Sequence, residues 1–484
     1  MSTATNLIKL FLLINLGLFY FLGLGWVIIG PLLHGSLIKK TKDFSLLQEV
    51  PLALLCGMII NLGIFLCVQG LIASLLMGGF IAVLGFVCFG FYFFRYHYKQ
   101  VLAPIFMNKW IGAIILCLIY LGAVFADPLI EWDARSIFFL HSKMIFTAGS
   151  IGPSAGWLHP SVVFSHVEYP NLIPAIAAQV SYVVGFWNEF FPKISLFYLL
   201  VPAIIWLFTF ARKSFSFIAL LLFIPLSLHM WLVNGLQDGN IALFFSIALL
   251  LLGRFSDTHQ KIDLVSGLCC LLTTILIKNE GNLVILSAII PLIAFNWISL
   301  TKISQDKSFS LVVNINVPFF EKPFSIKNLI KNHWKHILIS LILISPYIIW
   351  NIYKTTLNLP NDLEIGTIQS VQRIVNRLND GSYMLIIQNV YDQIKGSLLL
   401  LGLLFFASVA WHRGIYLPKD SLLAIFATTI YCMGIITIYL LTPADLNWHL
   451  TTSINRTMLP VSAGFLVSTY FILNSIETGK KISR

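Results

Sequence analysis

The sequence predicts an all-α polytopic membrane protein, and three observations lead to that fold class. Hydrophobic residues make up 58% of the 484-residue chain and charged residues only 11%, against roughly 25% charged in a soluble domain. Apolar windows of about 17 to 25 residues, the length that crosses roughly 30 Å of hydrocarbon as a helix, recur along nearly the whole chain. The basic residues cluster between those windows and not within them.

In chain order, about thirteen spans are expected. They lie near 8–30, 50–69, 71–94, 109–126, 194–211, 215–233, 241–254, 262–277, 282–299, 336–352, 396–411, 421–441 and 457–474. The first run is too long for a removable signal peptide and has no small-residue cleavage site, so it reads as a retained helix. With these spans, Lys39, Lys40 and Lys42, Arg95 and Lys99, Arg212 and Lys213, Arg254 and Lys261, the stretch from Lys302 to Lys335, Arg413 and Lys419, and Lys480, Lys481 and Arg484 all fall on one side. The positive-inside rule makes that side cytoplasmic and puts the amino terminus outside. The net charge of +11, from 31 Lys and Arg against 20 Asp and Glu, therefore reports orientation. The loop 302–335 reads as a solvated surface beside anionic headgroups, and no nucleic-acid partner is expected. The seven cysteines sit in apolar runs and read as packing residues. No phosphate-binding glycine loop and no zinc-ligand spacing occurs, and one membrane domain is the simplest organisation.

The outer side carries the unusual chemistry. The stretch DPLIEWDARS places Asp127, Glu131, Asp133 and Arg135 directly after a span. It opens a segment of about sixty residues in which a helix from Trp132 to Phe146, with Ile137, Leu140 and Met144 on one face, and a second from Pro170 to Trp187 are expected to lie in the membrane interface. A plain structural cap over the bundle is the competing reading. Three further outer loops carry isolated polar groups: NGLQDGN with Asp238, IKNEG with Lys278, and TPADLNWHLTTSINRTMLP with Asp445, His449 and Arg456. Each alone reads as a cap or a snorkelling cation. Together they gather ionisable groups at one face of one bundle, where such groups are costly unless paired or used.

Further residues take their reading from the same face. His159, His166 and Glu168 in WLHPSVVFSHVEYP are irregularly spaced and divided by Pro160, which favours hydrogen bonding to an acceptor or headgroup over metal binding. His449 is expected to pair with Asp445, four residues earlier on a helix. Trp132, Trp157, Tyr169 and Trp448 suit stacking on sugar faces or an interfacial aromatic belt. The outer loop 353–395, with Lys354, Asp362, Glu364, Arg373, Arg377 and Asp392, reads as a flexible loop or a lid over a substrate.

The ordered motifs WDA, downstream HP and YP, GLQDGN, ILIKNEG and DLNWHLTTSINR resemble the bacterial branch of the GT-C superfamily over roughly residues 109–475. These polytopic glycosyltransferases take a sugar from a polyprenyl phosphate and include protein O-mannosyltransferases and lipid A aminoarabinose transferases. The resemblance implies a catalytic domain at 109–475, preceded by family-variable helices at 1–108 and followed by a basic cytoplasmic tail at 476–484. It further implies inverting transfer to a lipid or glycan acceptor of the cell envelope, on the outer face of a bacterial inner membrane, without a cofactor. Asp133 matches the family's first-loop acidic residue, a general base in role, and Asp238 a second acidic position. Lys278 and Arg456 match cations directed at the lipid phosphate, with His449 beside them, while His159, His166, Glu168 and Tyr169 are placed toward acceptor or sugar. Glu131 completes the catalytic candidates. The adjacent acidic pair of the mannosyltransferases is here separated by Trp132, and residues two apart on a helix face differently.

The chemistry calls for the same inventory. A sugar on polyprenyl phosphate already carries its leaving group, so the protein must deprotonate an acceptor hydroxyl and neutralise the departing phosphate. A flippase or transporter of lipid-linked sugars is the principal rival, but such folds show internal repeats and charges near the bilayer midplane. A ligase or polymerase of lipid-linked glycans is the other alternative, differing in its donor.

Overall fold

The computed structural model describes residues 3–34, 46–97, 104–211, 214–302, 311–315, 326–359, 367–412 and 417–478. Ten of the described helices are long and apolar enough to cross a membrane, and the chain is a multi-pass membrane protein. The first four helices are α1 (Thr3–His34), α2 (Leu46–Val68), α3 (Leu71–Tyr96) and α4 (Pro104–Ala126). After the first large loop come α7 (Ile194–Thr209), α10 (Asp238–Thr258), α11 (Lys261–Ile277) and α12 (Gly281–Trp297). The chain closes with α13 (Ile326–Thr356), α15 (Ser382–His412), α16 (Lys419–Leu441), α17 (Leu446–Thr457) and α18 (Leu459–Thr478). A short antiparallel hairpin pairs Ile298–Lys302 with Leu311–Ile315. Most of the basic stretch 302–335, and the tail beyond Thr478, lie outside the described residues.

The core is set by α10. From Asp238 to Gly253 every side of this helix is buried, as expected of a helix that is apolar all round. It packs on α11, α16 and α18. Its far end is tied down by Arg254, whose guanidinium grips Asp263 of α11 at 2.6 and 2.8 Å and Thr209 of α7 at 2.9 Å. Gln48 of α2 adds a bond of 3.2 Å to the same carboxylate. Arg254 lies about 24 Å along the helix from Asp238, so this clamp closes the end of the bundle opposite Asp238. At the periphery, Phe80, Phe91, Leu118 and Phe406 are exposed along α3, α4 and α15, the apolar surface that lipid would cover.

Several elements differ from the sequence reading. Three expected spans fall on shorter helices: α11 and α12 have 17 residues each. The stretch 215–233 is broken into α8 (Phe215–Leu221), a π turn containing Pro225, and α9 (His229–Val233). Proline removes a backbone donor and disrupts the helix ladder there. In the first large loop, a π turn at Ala134–Phe138 precedes α5 (Phe139–Ala148). Ile137, His141 and Ile145, four residues apart on one face, are buried, while Leu140 and Met144 flank them half-buried.

The helix expected near 170–187 is α6 (Leu172–Val184), which packs into the bundle over most of its length, with Tyr182 and Val183 exposed near its end. Residues Leu172 to Ser181 are all buried. Small side chains such as Ala175, Ala177 and Ala178 permit close packing, and Gln179 exchanges two hydrogen bonds with Asn61 of α2 at 2.8 and 3.1 Å. Those bonds satisfy amides that would otherwise be costly inside the bundle.

The loop 353–395 is also more ordered than the sequence suggested. Helix α13 runs to Thr356, α15 begins at Ser382, and α14 (Ile368–Asn379) stands between them. Arg373 donates to the carbonyl of Leu441 at 2.7 Å, and Arg377 donates to those of Tyr439, Thr442 (3.0 Å) and Ala444 (3.3 Å). These two arginines satisfy the unpaired carbonyls where α16 ends. Asp362 and Glu364 lie outside the described residues.

Candidate functional site

Four separate segments meet at one cavity of 1480 Å³: Asp133, Lys278 and Arg456 line it, while Asp238 is buried behind Lys278 and does not, and each is placed for a local reason. Asp133 immediately precedes the π turn after α4. Asp238 opens α10, where the helix dipole favours a carboxylate. Lys278 follows the last residue of α11 in an extended conformation. Arg456 lies in the last turn of α17.

Two glycines make the turns possible. Gly235 has φ +90, and a Cβ there would lie 2.7 Å from Leu129 and 2.8 Å from Ala134, so the NGLQDGN turn requires glycine on both counts. At Gly281 a Cβ would come within 2.2 Å of the Thr274 backbone, so glycine is what lets α12 fold tightly back on α11.

The charges are arranged as two clusters. Lys278 Nζ lies 2.9 Å from Asp238 Oδ1 and 2.9 Å from Glu280 Oε1. Burial works against the ammonium, but the two carboxylates outweigh it and hold the Lys278 pKa well above that of an ordinary lysine. Arg456 Nη1 donates to Asp133 Oδ2, and both side chains keep 19% of their exposure. Lys278 also lies 5.9 Å from the centre of the Tyr169 ring, at the edge of cation–π range.

The other expected residues divide into those that line this cavity and those that do not. Glu131, Trp132, His166, Glu168, Tyr169, Trp448 and His449 line it. His166 takes a left-handed backbone at φ 52, stacks on Tyr169, and holds Nδ1 3.8 Å from Glu168 Oε1. His159 is not among the lining residues; it caps the short helix Pro160–Ser165 by accepting from the Ser161 amide. Trp157 is buried between His141 and Trp350 and donates to the Ile151 carbonyl, so it cannot stack at a mouth. His449 bonds Thr442 through Nδ1 at 2.8 Å, not Asp445, whose carboxylate caps α17 by accepting from the Trp448 amide. An N-cap carboxylate points back along its own helix start, which takes it out of reach.

Sequence reasoning missed several lining groups. Glu280 shares the IKNEG turn with Lys278 and was readable as its partner. Asn282, Tyr347 and Asn351 form a neutral polar wall, with Tyr347 donating to Asn282 at 2.7 Å. Tyr347 and Asn351 lie within a long helix and carried no local signal. The cavity also continues away from the charges along Leu283 and Leu286 of α12 and Gly434, Ile435 and Ile438 of α16. Leu286 is 58% exposed. Among the described residues, no three His, Cys, Asp or Glu side chains gather as a metal-ligand set.

No protein-family model, curated protein or solved structure matches the chain. The resemblance to the GT-C superfamily therefore rests on the motifs alone, and the reading of the site rests on its geometry.

One buried histidine of α5 supports a stability prediction. His141 is buried, accepts or donates a 3.1 Å bond at Ser165, and is held by burial at a pKa of about 4, below the ordinary 6.5. Above pH 6.5 it is neutral whether folded or unfolded. As pH falls the unfolded chain takes up the proton first, so stability is lost between 6.5 and about 4. Thermal unfolding in detergent should show this decline, on the order of 3 kcal/mol, and His141→Gln should flatten it.

Proposed function

We propose that the protein is a membrane glycosyltransferase that moves a sugar from a polyprenyl-phosphate donor to a lipid or glycan acceptor of the cell envelope. The observation that supports this reading is the lining of the cavity, which combines the charged residues Asp133, Arg456 and Lys278 with apolar residues of α12 and α16. A water-soluble substrate has no need of the apolar lining. A lipid-linked substrate needs both, with the phosphate beside the cations and the tail leaving sideways along Leu283, Leu286 and Ile438.

In this reading the acceptor oxygen attacks the anomeric carbon from the face opposite the phosphate. Asp133 takes the hydroxyl proton as the new C–O bond forms. The bond from the anomeric carbon to the phosphate oxygen breaks, its electron pair remaining on that oxygen beside Arg456. The configuration inverts, because attack and departure are on opposite faces. Lys278, tied to Asp238 and Glu280 in a cluster of net negative charge, holds the fold of the site and is not a direct phosphate ligand. Asn282, Tyr347 and Asn351 offer neutral hydrogen-bonding groups to hydroxyls of the sugar. An outward-facing cavity, with Arg254, Lys261 and Lys419 on the cytoplasmic side, would be in keeping with the positive-inside rule applied to the thirteen spans expected from the sequence.

Purified protein incubated with radiolabelled polyprenyl-phosphate sugars and a cell-envelope extract should move label from the lipid to the extract. Intact donor after prolonged incubation across neutral, amino and pentose sugars would count against the reading.

A further inference from the structure

The proposed base and the proposed phosphate ligand are each other's partner. Arg456 and Asp133, 323 residues apart in sequence, form one ion pair inside the cavity. A carboxylate held by a guanidinium is a weak base, and a guanidinium held by a carboxylate is a weak phosphate ligand. The second cation offers no way around this conflict, since Lys278 sits between two carboxylates at 2.9 Å each, with its side chain only 6% exposed.

Arg456 is the exchangeable cation. Its one direct ion pair is to Asp133 through one nitrogen, with the Asp238 carboxylate also attracting it without a hydrogen bond, and its Nε is buried with no hydrogen-bond partner among the described residues. Both members of the pair keep contact with the cavity, so parting them does not strand a charge in the protein interior. A phosphate offers the guanidinium fork two oxygens where Asp133 now offers one.

We propose, building on the glycosyltransferase reading, that the donor phosphate and Asp133 compete for Arg456, so that the base is released only when the donor is bound. Before loading, Asp133 serves as an internal stand-in for the phosphate. After loading, Arg456 turns to the phosphate oxygens and Asp133 is free to face the acceptor. Donor binding then precedes acceptor activation, and water in the unloaded cavity meets no active base.

Binding of sugar-free polyprenyl phosphate, measured at fixed detergent and salt, tests the exchange without requiring transfer. Asp133→Asn should bind the lipid about 10-fold tighter than wild type, because the internal competitor is gone, and Asp133→Ser should do the same. Arg456→Ala should bind at least about 10-fold more weakly, and adding Asp133→Asn to it should restore nothing. Glu131→Gln, an equal change of charge two residues away, should tighten binding by less than about 2-fold. Equal or weaker binding by Asp133→Asn overturns the proposal. So does tightening that persists without Arg456, or that Glu131→Gln reproduces, since either would reflect net charge alone. If the exchange behaves as expected but wild type transfers no sugar, the competition stands and the glycosyltransferase reading falls. Absence of lipid binding by every variant removes both.

Discussion

Asp133→Asn should reduce sugar transfer by about 10² to 10⁴ while leaving the protein folded. The substitution keeps the shape of the side chain and removes its charge, and with it both the capacity to take a proton and the charged hold on Arg456. Its partner is partly exposed and stays solvated, so no charge is stranded in the interior. Turnover with a radiolabelled donor, compared with monodispersity and thermal unfolding of the same preparation, separates chemistry from folding. Asp133→Glu should recover part of the rate, because a longer carboxylate is still a base. Full activity in Asp133→Asn would reduce Asp133 to an anchor for Arg456. Glu168, close to His166 on the same cavity, would then be the next candidate base.

The largest effect on stability is expected at Lys278. Replacing it by Met leaves Asp238 and Glu280 without their shared cation, and removing one member of a buried ion pair costs about 3 to 5 kcal/mol. Asp238 opens the central helix α10, so the loss should reach the whole bundle. Lower yield of monodisperse protein and earlier thermal unfolding in detergent are the readouts. Lys395→Met, at an exposed pair with Asp392, should leave both unchanged. Wild-type stability in Lys278→Met would mean that the two carboxylates find protons or other partners readily, and that Lys278 is no keystone.

These expectations rest on features that were legible to different degrees. The helical membrane class followed from length and composition. The meeting of Asp133, Asp238, Lys278 and Arg456 followed from their common position at span ends on one side of the bundle, since helices that alternate direction bring every second connection to one face. Their pairing could not be read, because sequence spacing says nothing about which loop faces which. The clamp of Arg373 and Arg377 on the end of α16 was likewise hidden, as its acceptors are backbone carbonyls that any residue supplies. Local assumptions failed where structure intervened nearby. His449 turned to Thr442 because Asp445 was already committed as a cap, and α6 sank into the bundle because its small residues and Gln179 found partners there.

The central claim is that one cavity holds a lipid-borne phosphate at its charged end and the lipid tail along α12 and α16. Photocrosslinking with a polyprenyl phosphate carrying a photoreactive group in its first isoprene units tests it most directly. The account predicts label on peptides containing Leu283 to Leu286 and Gly434 to Ile438, competed by unlabelled polyprenyl phosphate and lost in Arg456→Ala. Label spread over the outer surfaces of α3, α4 and α15, unchanged by competitor and by Arg456→Ala, would contradict it.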